Sequence, residues 1–293
     1  MEPEYVKLKE IKPALSAYIR EAQSLLKRTP VPDDKAVHDI RVLMKKSRAV
    51  MKLLISQVEK DSFIREYGDF RDVGRIMRLW RETSVHRKTL KDLKKDYPKI
   101  FSAARENKKL EDLLQSVNAP ADPAPELSSD IEKIEELLNK SGYRIRFQSL
   151  EKIDPKLLLT ELDRSYRLAS DKYLASRNNT KPSNIHEFRK KTKDFLYQLY
   201  FFRPLNPSGV KNIEKRLDNL TQNLGRYNDL AQLIITLGYK YRDATNTEGL
   251  DELIIMIRKE QDRYLARVWP AAYKIFCPGQ KLINVLGFKI LMI

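Results

Sequence analysis

Val37-His-Asp-Ile-Arg41 returns as Ile185-His-Glu-Phe-Arg189, 148 residues further along the chain. The same offset places Tyr18 on Tyr166, Leu26 on Leu174 and Lys45 on Lys193. A second pair follows in the same order, Gly68-Asp-Phe-Arg-Asp72 and Gly225-Arg-Tyr-Asn-Asp229. Its offset is nine residues longer, as an insertion around Arg203-Pro-Leu-Asn-Pro-Ser-Gly209 would make it. Two ungapped blocks in one order predict the duplication of a single structural unit.

That unit reads as helical. Glycine occurs only 9 times in 293 residues, and helix-forming residues recur throughout. The hydrophobic fraction of 42% is enough for a true core, which excludes a disordered basic tail. Helical periodicity spans 5–28, 35–57, 62–82 and 84–115, then 155–176, 183–203, 210–240 and 248–276. Between the two sets, Asn118-Ala-Pro-Ala-Asp-Pro-Ala-Pro-Glu126 has three prolines in six residues and reads as a linker. The expected organisation is therefore all-α, with two pseudo-symmetric helical bundles from an internal duplication. They cover residues 1–117 and 127–293, joined by a Pro-rich linker over 118–126. Ser141-Gly142 is a weaker break, with Tyr143-Arg-Ile-Arg-Phe147 as a short extended stretch after it. Pro32-Asp-Asp34 and Pro182-Ser-Asn184 are expected to cap the two helices that carry the histidine motif.

The formal net charge is +16 and is shared between the halves. Residues 1–120 hold 27 Lys and Arg against 18 Asp and Glu, and residues 121–293 hold 29 against 22. Such a field draws nucleic acid, acidic lipid or another phosphate polymer, and charge alone does not choose among them. The one cysteine, Cys277, excludes an intrachain disulfide and suits the reducing cytoplasm. No signal peptide is visible, and Leu282–Ile293 is too short and too interrupted, by Lys289, to span a membrane. It is expected to dock on the body as a strand or helix end.

The charge is ordered into stripes. In the helix from Asp34, the residues Ile40, Leu43, Met44, Val50, Met51 and Leu54 share an apolar face. His38, Arg41, Lys45, Arg48 and Lys52 follow steps of three and four, and lie within a sector of roughly 80°. This row contains no acid. The helix from Ser183 repeats the design, with Phe188, Phe195, Leu199 and Phe202 apolar. His186, Arg189, Lys190 and Lys193 make its cationic row, continued by Tyr197 and Tyr200. A third row is Arg71, Arg75 and Arg78, whose counterpart near Lys215, Arg216 and Arg226 is weaker.

A cationic stripe on an amphipathic helix is ordinarily a solvated face. Solvated faces usually interleave Glu with Lys, however, and these rows keep like charges together in both halves. They read as anion-binding surfaces. The histidines His38, His86 and His186 lack the spacing and partners of a metal site, so no metal or cofactor is expected. No phosphate-binding glycine loop and no nucleophile motif is present, and the chain reads as a binder, not an enzyme. Asp72 and Asp229, a matched pair of acids, are expected to cap a helix or steady an arginine of the rows.

The doubled motif resembles the CHAD family, the conserved histidine α-helical domain. The resemblance rests on His38-Asp-Ile-Arg-Val-Leu-Met-Lys-Lys-Ser-Arg48 with Gly68-Asp-Phe-Arg-Asp72. It rests equally on His186-Glu-Phe-Arg-Lys-Lys-Thr-Lys193 with Leu224-Gly-Arg-Tyr-Asn-Asp229. Leu196-Tyr197 departs from the family pattern, which commonly has a basic residue before the tyrosine. The resemblance implies two helical bundles with a basic channel or cavity between them, and binding of inorganic polyphosphate, often at polyphosphate granules in bacteria. Some members are fused to a triphosphate tunnel enzyme domain, which nothing in this sequence resembles. Polyphosphate has no bases and asks only for rows of charge-assisted donors. Nucleic acid is the alternative partner, since the 14 tyrosines could stack bases.

Overall fold

The computed structural model describes residues 6–106, 111–112, 114–115, 127–148, 150, 153–240 and 249–287, and every regular element among them is helical. The helices are α1 (Leu8–Lys27), α2 (Asp34–Leu53), α3 (Lys60–Asp96), α4 (Pro98–Glu106) and α5 (Leu127–Phe147). They continue as α6 (Pro155–Asn178), α7 (Pro182–Leu199), a 3₁₀ segment (Tyr200–Leu205), α8 (Pro207–Lys240), α9 (Leu250–Phe276) and α10 (Leu282–Leu286). The Pro-rich stretch 118–126 lies outside the described residues.

Local signals explain several boundaries. Asp33 caps α2, its carboxylate accepting from the Ala36 amide at 2.6 Å. At the start of α7 the expected cap is displaced. Lys181 is the N-cap residue, and Pro182 opens the helix. Proline suits that position because it lacks only an N–H that would have had no intrahelical partner. Asn184 then sits in the first turn, and its amide reaches back to the Asn179 carbonyl at 2.9 Å.

Two expectations need correction. The patterns over 62–82 and 84–115 are one continuous helix as far as Asp96. Its apolar face rotates along its length, which is why the periodicity reads as two segments. Phe70, Val73 and Met77 enter one core cluster, whereas Leu90 and Leu93 enter another. At about 100° per residue, Leu90 points roughly 200° away from Phe70. The extended stretch expected at Tyr143–Phe147 is the last turn and a half of α5, with Ile145 buried. The Ser141-Gly142 pair does not break that helix. Gly142 lies against Ile19 of α1, and the Ser141 hydroxyl reaches Asp69 of α3.

Packing runs α1 on α2, α2 on α3, α6 on α7, α7 on α8 and α8 on α9, with α2 against α7 at the centre. One apolar cluster includes Ile11, Met44, Phe70, Phe188 and Phe276, so it passes through both sets of helices. Helix α5 lies on α1 and α3, tied by Lys27–Glu135 at 2.5 Å and by Trp80 Nε1 donating to Asp130 at 3.1 Å. Of the C-terminal stretch, Leu282–Leu286 docks as a helix. Leu282 and Leu286 are buried, and Asn206 Nδ2 donates to the Leu286 carbonyl at 3.1 Å. Residues 288–293 lie outside the described part.

Candidate functional site

The two motif helices are neighbours. Where α2 meets α7, the buried Gln198 donates Nε2 to the Ala49 carbonyl at 2.9 Å. Beside it, Lys52 Nζ of α2 lies 2.5 Å from Asp194 Oδ2 of α7. The Lys45 charge reaches His186, where it opposes protonation of the imidazole. Cations of the first and second rows thus share one surface.

Along α2, His38, Arg41, Lys45, Arg48 and Lys52 are all half-buried. Arg41 Nη1 donates to the Gly74 carbonyl of α3, which links the first row to the helix bearing Arg71, Arg75 and Arg78. Those three arginines are exposed. Asp72 sits between two of them, 3.3 Å from Arg71 Nε and 3.6 Å from Arg75 Nη2. It steadies arginines of the third row, one of the two roles expected of it. Along α7, His186 and Lys190 are exposed, whereas Arg189 and Lys193 are half-buried. The His186 pKa is held below its ordinary value, first by desolvation and then by Lys190, Arg189 and Lys45. Burial also lowers the Lys193 pKa, and the Asp218 carboxylate 3.2 Å away works against that shift.

The guanidinium groups are placed by backbone and by rings. Arg189 lies against Gly225 of α8, where an added Cβ would stand 3.3 Å from its Nε and Nη2. Arg48 lies over the Tyr67 ring at 5.9 Å, and Lys52 over the same ring at 5.6 Å. The Nε atoms of Arg48 and Arg189 are buried and have no hydrogen-bond partner among the described residues. A buried charged donor without an acceptor is costly.

Sequence spacing missed part of this surface. Lys46 falls off the three-and-four stepping of the first row, yet it faces Tyr18 at 5.5 Å and lines a groove of about 380 Å³. Tyr197, Tyr200, Arg203, Lys215 and Asp218 line the same groove, between the first helix pair and the second. Burial pushes the Tyr197 hydroxyl up to about 12, so it stays protonated as a donor. Cations also occupy ring faces here. Lys193 lies over Tyr197 at 5.4 Å, and Arg203 over Tyr200 at 4.8 Å. The absence of acids from the rows does not survive folding, because carboxylates reach them from the same helix and from neighbouring ones. Asp194 meets Lys52, Asp218 meets Lys193, and Glu187 meets Lys190 at 2.7 Å.

Among the described residues, no three His, Cys, Asp or Glu side chains gather as metal ligands, and no helix is long and apolar enough to cross a membrane. His86 is buried on α3.

Fold and site together define an all-α protein that sets two matched cationic helices side by side. The CHAD domain family model matches residues 11–238, and the chain belongs to that family. The crystal structure of the CHAD domain from the plant Ricinus communis is similar in fold, with a TM-score of 0.53 at 15% identity. That likeness covers 98% of this chain and 93% of the plant one. A search of curated proteins gives no match.

Proposed function

We propose that the protein binds inorganic polyphosphate along the adjoining cationic faces of α2 and α7, without turning it over. The observation that carries this reading is the junction of α2 with α7, where Lys52 lies 2.5 Å from Asp194 and the Lys45 charge reaches His186, so that two cationic rows, Arg48 and Arg189 among them, share one surface. His38, Arg41, Lys45, Lys52, His186, Lys190 and Lys193 complete that surface, and Arg71, Arg75 and Arg78 extend it along α3. A flexible chain of phosphates meets such donors one unit at a time and needs no stacking platform. The ring contacts weigh against the nucleic-acid alternative. Tyr18, Tyr67, Tyr197 and Tyr200 each carry a lysine or arginine over a face that a base would use. Such a binder would hold polyphosphate in the cytoplasm, where granules of the polymer are its natural partner.

Competition at one salt concentration tests the reading. Long-chain polyphosphate should displace single-stranded and duplex DNA of equal total charge, and no phosphate should be released with Mg²⁺ or Mn²⁺ present. Preference for either DNA would transfer the assignment to nucleic acid. Phosphate release that tracks the purified protein would make it an enzyme.

A further inference from the structure

Two of the site's lysines already hold an anion. Lys52 Nζ is 2.5 Å from Asp194 Oδ2, across the junction of α2 and α7. Lys193 Nζ is 3.2 Å from Asp218 Oδ1 on α8, and Gln222 Nε2 fixes the other oxygen of Asp218 at 2.7 Å. Neither lysine is freely solvated, with 29% of the Lys52 side chain and 19% of the Lys193 side chain exposed. The neighbouring guanidinium groups differ, since Arg48 and Arg189 keep a buried Nε without an acceptor. The surface therefore sets lysines already paired with carboxylates beside guanidinium groups whose buried Nε has no acceptor among the described residues.

We propose that Asp194 and Asp218 are specificity-determining residues: resident carboxylates that stand where phosphates would otherwise meet Lys52 and Lys193, and so limit the affinity of the site. The proposal rests on the polyphosphate reading above. A lysine paired at hydrogen-bond distance presents almost no net charge to an approaching phosphate, and its carboxylate repels that phosphate. A chain held by the neighbouring cations gains less from Lys52 and Lys193 while the carboxylates stay in place. Replacing the carboxylate by its neutral amide isostere returns one cation to the ligand without changing the shape of the side chain.

The test is a double-mutant cycle on polyphosphate of about one hundred units, followed at several salt concentrations. Asp194→Asn should tighten binding about three- to fivefold and steepen the salt dependence by about 0.7 in log–log slope, the increment for one more neutralised phosphate. Lys52→Gln should weaken binding in the parent, and should weaken it by a larger factor in the Asp194→Asn background, where it cancels the whole gain. Asp218→Asn with Lys193→Gln should behave in parallel. Glu136→Gln, which frees the exposed Lys140 on α5, controls for a general gain of charge and should leave the slope unchanged. Additive effects of Asp194→Asn and Lys52→Gln would overturn the proposal while leaving the polyphosphate reading intact. So would an Asp194→Asn variant that loses both affinity and melting temperature, because Asp194 would then be a staple between helices. Failure of the parent to bind polyphosphate at all would remove both.

Discussion

Gly225 shows how closely the site is built around single atoms. It sits inside α8, where alanine would ordinarily be the better helix former by up to ~1 kcal/mol. Yet a Cβ there would stand 3.3 Å from the Arg189 guanidinium, a tight contact that the guanidinium must relieve by shifting a few tenths of an ångström. Gly225→Ala should therefore leave the melting temperature unchanged or raised, while polyphosphate affinity falls about three- to tenfold as Arg189 is displaced. Thermal unfolding and a binding titration on the same sample would check this, and an unaltered affinity would free Arg189 from a role. The sequence marked Gly225 through its repeat with Gly68 but not the reason for it. The reason is a contact with a residue 36 positions earlier, beyond any local pattern. The same holds for Asp194 and Asp218. Neither breaks a stripe in sequence, and each becomes part of the surface only through the docking of one helix on another.

Helices with a strong local start were legible, and helices whose boundaries depend on tertiary contacts were not. Asp33 announces α2, because a carboxylate two or three residues before the amide it caps needs nothing from elsewhere in the chain. Helix α5 gave the opposite result. Its Ser-Gly pair and β-prone Tyr143–Phe147 argue locally against helix, and an ion cluster decides the matter. Arg144 donates from Nε to Glu66 and from Nη2 to both Glu66 and Asp69 of α3. Glu66 is buried, with 2% of its side chain exposed. Arg144→Ala should cost about 3 kcal/mol, since it leaves that buried carboxylate with no partner among the described residues closer than Arg65 Nε at 3.7 Å. Urea unfolding followed by circular dichroism would measure it. Replacing both partners, Arg144→Leu with Glu66→Leu, should recover more than half of the loss. An alanine variant as stable as the parent would show that apolar packing alone seats α5.

For the molecule as a whole, the junction of α2 with α7 turns two rows into one surface, and a chain of phosphates that touches one row meets the other intramolecularly. Lys45 and Lys190 both lie near enough to His186 to lower its pKa, one from each helix. Lys45→Glu and Lys190→Glu should each weaken long-chain binding, and the pair should weaken it by more than either effect predicts for separate sites. The parent's affinity should fall on the order of 10²-fold between 50 and 200 mM salt if about six phosphates are neutralised, and the combined loss of the two variants should shrink over the same range. A chain-length series at two salt concentrations would read both effects, and a double variant equal to the parent would return the stripes to solvent. That the rows exist could be read from spacing. That they adjoin could not, because nothing in a 3.6-residue repeat says which helix it will lie against. Helix α3 carries the point further. At about 1.5 Å per residue its 37 residues make a rod of roughly 55 Å, seated at Phe70 in one core and at Leu90 in the other. Such a rod is a tie-beam: melting either core leaves half of it without support. The basic surface built on its first half is thus mechanically coupled to packing some 30 Å away that touches no phosphate.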